Sequence, residues 1–154
     1  MGWRAYGRVM TLFANASYDP DNVFAKILAG KVPAAVIAES ARTLAFMDAF
    51  PQARGHCLVI PKAGSRDLLS MARKDLSAVA DQVQRVSRAV ARALAPDGIV
   101  VSQFNGAEAG QTVFHMHVHI IPRYADEDGA AHSSGAADMA ELRRLAERIK
   151  AEMD

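Results

Sequence analysis

The sequence predicts an α+β domain, and three observations carry that prediction. Short apolar segments of strand length come in runs with helices placed around them, without regular alternation of strand and helix. Residues 74–95 repeat apolar side chains at intervals of three and four, as a helix with one buried face requires. Residues 113–121 alternate apolar with ionisable side chains, as a half-buried strand does. With 154 residues of which 51% are hydrophobic, the chain can build one real core and gives no reason to expect a second domain.

Residues 1–21 carry no clear pattern and read as an N-terminal extension, with Met10 a candidate natural start. The apolar stretch 9–14 follows two arginines but is shorter than a signal-peptide core and far shorter than a membrane span, so neither export nor insertion is expected. A single cysteine, Cys57, cannot form an internal disulfide, which favours a reducing, cytoplasmic setting. Asp21 or Asn22 can cap a short N-terminal helix, 22–29, whose Val23, Phe24, Ile27 and Leu28 follow helical spacing; Gly30 stands where a left-handed stop costs little. Three strands are expected at 35–38, 43–47 and 57–60, separated by polar or Gly/Pro turns. The long helix 74–95 ends at Pro96-Asp97-Gly98, and 99–104 resumes a strand. After a two-glycine loop at 105–112 and the strand 113–121, the Gly/Ala/Ser-rich segment 125–137 reads as a flexible connector. Leu142, Leu145 and Ile149 then mark a C-terminal helix within 138–154.

Eighteen Lys and Arg against seventeen Asp and Glu leave a formal charge of +1. No global field draws in nucleic acid or an anionic membrane, so any phosphate specificity must be local.

Three of the five histidines occupy alternate positions in His115-Met116-His117-Val118-His119. On a strand this aligns the imidazoles on one face while Phe114, Met116, Val118 and Ile120 turn to the other. Three readings fit such a face: an ordinary exposed strand surface, a metal site with a further ligand from elsewhere, or a nucleophilic imidazole oriented by its neighbours. The first leaves the threefold choice of histidine unexplained, and the second lacks a cysteine or carboxylate at close strand spacing. The preceding loop, Asn105-Gly106-Ala107-Glu108-Ala109-Gly110-Gln111-Thr112, offers two permissive glycines and uncharged donors. Taken alone its residues fit turn chemistry; beside three aligned imidazoles they fit a cradle for phosphate oxygens, which nucleophilic attack on phosphorus needs. That chemistry calls for no metal and no other cofactor.

The pattern His-apolar-His-apolar-His-apolar-apolar at 115–121 closely resembles the signature of the histidine triad (HIT) family. The resemblance extends through Gly110-Gln111-Thr112-Val113 and Asn105 to Phe46, Asp48, Pro51-Gln52-Ala53, Gly55-His56 and Leu58-Val59-Ile60-Pro61-Lys62, and to Phe24, Lys26-Ile27, Lys31, Pro33 and Ala34. It covers a HIT domain at 22–124. It implies a HIT-like fold with a five-stranded antiparallel sheet, and a homodimer. It also implies a nucleotide hydrolase or transferase that cleaves at the α-phosphate of adenosine nucleotides, either phosphoramidates or diadenosine polyphosphates. His117 would become a nucleotidyl-histidine, oriented by His115, His119 and His56. The resemblance further assigns the phosphates to Asn105, Gln111 and Thr112 and the purine wall to Val23, Phe24 and Ile27, where an apolar helix face fits plain core equally well. The ribose position usually held by an acid falls on Ser40, with Glu39 one place earlier, so ribose recognition is expected to be weaker or shared between them. Asn22 and Ala25 stand where many bacterial members carry the cysteines of a structural zinc site, so no zinc is expected. His132 reads as solvated and Lys62 as a surface charge. A non-catalytic purine-nucleotide-binding or interaction module is the alternative.

Overall fold

The computed structural model describes residues 16–127 and 135–154. Met10, the stretch 9–14, His132 and most of the connector lie outside them, so the expectations placed there stand as made.

Helix α1 (Val23–Leu28) is short, and its start is fixed by Asn22, whose Oδ1 accepts from the Ala25 N–H at 2.9 Å. Gly30 follows at φ +71°, the left-handed stop its type permits. Five strands, β1 (Val36–Glu39), β2 (Thr43–Met47), β3 (Cys57–Pro61), β4 (Gly98–Ser102) and β5 (Val118–Arg123), form one antiparallel sheet in the order β1-β2-β3-β5-β4. Helix α2 (Arg73–Leu94) ends on Ala95 in the left-handed conformation, and α3 (Met139–Lys150) starts on Asp138, whose carboxylate accepts from Ala140 N and Glu141 N. The α+β architecture and its five-stranded antiparallel sheet are therefore as the sequence predicts.

Both faces of β2 and β3 are covered, and alternation sorts their side chains between two clusters. Ala45, Met47, Cys57 and Val59 join Val118 and Ile120 against α2 and α3, through residues such as Val79, Val86, Leu142 and Ile149. Leu44, Phe46, Leu58 and Ile60 turn to the opposite face and pack under Phe24 of α1. Full burial of each such aliphatic side chain contributes on the order of 1.5–3 kcal/mol relative to exposure. Cys57 is wholly buried in the larger cluster, and burial pushes its thiol up to about 12, so it acts as a small apolar side chain.

Strand pairing in β5 begins only at Val118, not at 113 as the alternation suggested. Residues 113–117 find their partners elsewhere: the Met116 N–H donates to Ser65 O at 2.8 Å, outside the sheet. The alternation of facing survives this, with Met116 in the larger core and the flanking imidazoles on the other side.

Gly55 holds φ +92°, and a Cβ there would collide with Leu94 Cδ1 and lie 3.2 Å from Pro122 Cγ. Gly55→Ala is expected to cost on the order of 1–3 kcal/mol, because it adds both backbone strain and overpacking beside His56. A urea denaturation midpoint equal to that of the parent protein would contradict this.

Candidate active site

The imidazoles gather on the α1 side of the sheet. His117 and His119 have ring centroids 4.9 Å apart, His119 and His56 5.2 Å, and Phe24 meets His117 edge-on at 5.0 Å. Register explains part of this: Leu58, directly after Cys57, stands opposite His119 on β5, which brings His56, one residue before β3, alongside. A cavity of about 430 Å³ opens over His117, His119 and His56 and is walled by Val23, Phe24 and Ile27 together with Phe46 and Leu58.

Hydrogen bonds set the tautomers. His117 Nδ1 lies 2.7 Å from the carbonyl of His115, an acceptor only, so Nδ1 carries the proton and Nε2 keeps its lone pair. His56 Nδ1 accepts from the Gln52 N–H at 3.0 Å, which places its proton on Nε2, 3.0 Å from His119 Nδ1. His119 therefore accepts at Nδ1 and carries its proton on Nε2. His115, fully buried, donates from Nε2 to Pro61 O at 2.9 Å and accepts at Nδ1 from the Tyr18 hydroxyl at 2.7 Å.

Burial favours the neutral form of all four rings. It pushes His56 down to about 3, helped by His119, Arg123 and His117, and His119 down to about 4, helped by His117. His115 and His117 are also lowered, mainly by burial. Burial raises the carboxyl of Asp48, partly offset by the hydrogen bond from Phe50 N at 2.8 Å. With His56 neutral, the 3.4 Å approach of Asp48 Oδ2 to its Nε2 is a polar contact, not an ion pair. Asp48, His56 and His119 each bring one ligand atom within 4.8 Å of the others, a spacing one metal ion spans; in this structure the two imidazole nitrogens face each other across a hydrogen bond.

Three residues sit differently from the sequence expectation. Ser40 lies at the β1–β2 turn, where its Oγ accepts from Thr43 N at 3.0 Å and pairs with Thr43 Oγ1 at 2.8 Å, so it does not reach the cavity. The acid on the cavity wall is Asp48. Its signal in the sequence was its place directly after the apolar run of β2, at a position the resemblance already included. Gln111 is buried with its amide engaged within the protein: Oε1 accepts from Gly106 N at 2.8 Å, while Nε2 donates to Arg66 O at 2.7 Å and Val113 O at 3.1 Å. Asn105 Oδ1 accepts from Leu68 N at 2.9 Å, and its amide also exchanges hydrogen bonds with Gln103. Both side chains brace the 105–113 loop, whose Gly106 and Gly110 have positive φ. Of the three expected phosphate residues, only Thr112 lines the cavity. Val23, Phe24 and Ile27 are at once cavity wall and, for Phe24 and Ile27, part of the smaller core cluster.

Known proteins share this frame. The HIT domain family model matches residues 29–126. Protein hit of Bacillus subtilis is 38% identical over 107 residues, which are 70% of this chain and 74% of the relative. An adenosine 5'-monophosphoramidase of Schizosaccharomyces pombe is 36% identical over 107 residues, 70% of this chain and 77% of that one. The crystal structure of a Hit-like protein involved in cell-cycle regulation from Bartonella henselae superposes with a TM-score of 0.84 at 40% identity, covering 90% of this chain and all of the other. A histidine-lined cavity at the β3–β5 join and a family match across most of the chain lead to one assignment: this protein belongs to the HIT domain family.

Proposed function

We propose that the chain is a nucleotide hydrolase or transferase that cleaves at the α-phosphorus of adenosine nucleotides through a nucleotidyl-His117 intermediate. The observation that carries this is the tautomer of His117: its Nδ1–H is tied to a backbone carbonyl and its neutral Nε2 is left as a nucleophile beside an open cavity. In the first step the Nε2 lone pair forms a bond to phosphorus, and the bond from phosphorus to the leaving amine or phosphate breaks. The leaving group takes its proton from water that the His119 Nε2–H, kept on that nitrogen by the His56–His119 hydrogen bond, holds beside it, so both rings stay neutral and hydroxide is released to solvent. A second water then attacks phosphorus, loses its proton to that solvent hydroxide, and releases the nucleoside monophosphate and free His117.

The apolar wall of Val23, Phe24 and Ile27 suits a purine, Asp48 can accept from the sugar hydroxyls, and Thr112 can donate to a phosphate oxygen. The family relative named as an adenosine 5'-monophosphoramidase supports this class of reaction. Edge strand β4 leaves Val100 and Val101 exposed, with Phe104 just beyond it, which supports a homodimer joined along that edge. No helix among the described residues is long and apolar enough to cross a membrane, and a cytoplasmic location agrees with the single buried cysteine.

One turnover assay tests the reading. An adenosine phosphoramidate and a diadenosine polyphosphate are offered in parallel, and release of adenosine monophosphate from either supports it and selects the substrate class. Tight binding of both without turnover would replace it with the non-catalytic nucleotide-binding module.

A further inference from the structure

We infer that Tyr18 is a positioning residue for His117, acting from outside the matched family segment through the ring of His115. This rests on the phosphorus-attack reading above and extends it to a residue that precedes the matched family segment, 29–126, by eleven positions.

Tyr18 and His115 are 97 residues apart in sequence, yet the phenol donates to His115 Nδ1 at 2.7 Å and the two rings meet edge-on with centroids 5.6 Å apart. The contact is built from both sides. On the N-terminal side, Tyr18 leads into a tight turn in which Asn22 Nδ2 donates to Asp19 O at 2.6 Å, and the same Asn22 caps α1, so the arm and the helix are one unit. Across from it, Gly64 leaves space for the phenol ring: a Cβ there would fall 2.8 Å from Tyr18 Cε1.

The consequence passes along a chain of single hydrogen bonds. His115 is fully buried, so without the phenol its Nδ1 would be an acceptor with no solvent to replace the donor. With the phenol in place, the ring is held in the tautomer that donates from Nε2 to Pro61 O. A ring anchored at both nitrogens fixes the backbone of residue 115, and it is the carbonyl of that residue that keeps the proton on His117 Nδ1. Phe24, on the helix that the arm leads into, stacks edge-on against both His115 and His117, at 6.2 and 5.0 Å. Tyr18 therefore acts on how well the nucleophile is aligned and makes no contact with the nucleotide site itself.

The experiment pairs kinetics with nitrogen-15 NMR of the histidine rings on the full chain. Tyr18→Phe keeps the ring packing and removes only the donor. The expected result is a fall in kcat of about 3–10-fold with KM within about twofold, because one hydrogen bond that orients a reacting group is lost. The His115 Nδ1 resonance should shift while those of His56 and His119 stay in place. Gly64→Ala, which displaces the phenol without removing it, should give the same two changes. Unaltered His115 ring shifts in Tyr18→Phe, or shifted resonances with unchanged kcat, would overturn the inference. The ring shifts are read without substrate, so a parent protein with the His115 tautomer described above but no turnover would defeat the proposed reaction and leave the Tyr18 contact standing.

Discussion

Replacing His117 with alanine is expected to lower turnover by about 10⁴-fold or more, as loss of a nucleophile does elsewhere, while nucleotide affinity changes by less than about tenfold. The asymmetry follows from what the side chain does. The walls that would hold purine and sugar come from Val23, Phe24, Ile27 and Asp48, none of which depends on the imidazole for its hydrogen bonds. Rapid quench and mass spectrometry add a second measurement to the same prediction. His119→Ala removes the N–H that aligns water beside phosphorus and is expected to slow hydrolysis of the adduct more than its formation, so a gain of one nucleotidyl group should appear on His117. Turnover retained in His117→Ala would remove the nucleophile assignment. Loss of turnover with no adduct under any slowed condition would favour direct attack by water.

Stability should be level between about pH 7 and 8, below the ordinary thiol range where buried Cys57 begins to cost stability, and should fall as the solution is acidified below about pH 6.5. The sign follows from the direction of the shifts: His56, His119, His115 and His117 all titrate below the ordinary histidine value in the fold, so below about pH 6.5 the unfolded chain binds more protons than the native one. Each such group removes on the order of 1 kcal/mol of stability per pH unit over the range where the unfolded chain alone is protonated, and the coupled His56 and His119 pair, lowered to about 3 and about 4, extends that range furthest. Asp48, raised by burial, works in the opposite direction below its own folded value and offsets one of the four in part. Urea midpoints measured from pH 7.5 to 5 should therefore decline steeply at the acid end. In the native protein His117 should protonate at lower pH than an ordinary histidine, so kcat should hold further into the acid range than a free imidazole would allow. A constant midpoint across that range would show that the rings are not held neutral.

What the sequence revealed and what it hid divide along physical lines. Periodicity located α2 and the strand runs because apolar spacing at 3.6 or 2 residues survives in any sheet order. Alternation put His115, His117 and His119 on one side, yet strand pairing covers only the last of them, because the Met116 N–H goes to Ser65 across a loop that no local pattern announces. Their place before the three imidazoles and the family resemblance suggested that Asn105 and Gln111 were donors for phosphate; their partners, Leu68, Gly106 and Arg66, are long-range or set by loop shape. Ser40 was placed by correspondence with a family position, and the turn it occupies shows that the acid of this cavity comes from the end of β2 instead. Tyr18 left no trace in the sequence, since its meeting with His115 depends on the whole tertiary fold.

The smaller cluster under Phe24 has an implication for how the site opens. Helix α1 spans six residues and rests mainly on that patch, while the larger core on the far face of the sheet holds α2 and α3. The roof over His117 can thus lift at the expense of a few side chains, with the rest of the domain intact. Opening of this kind costs far less free energy than global unfolding.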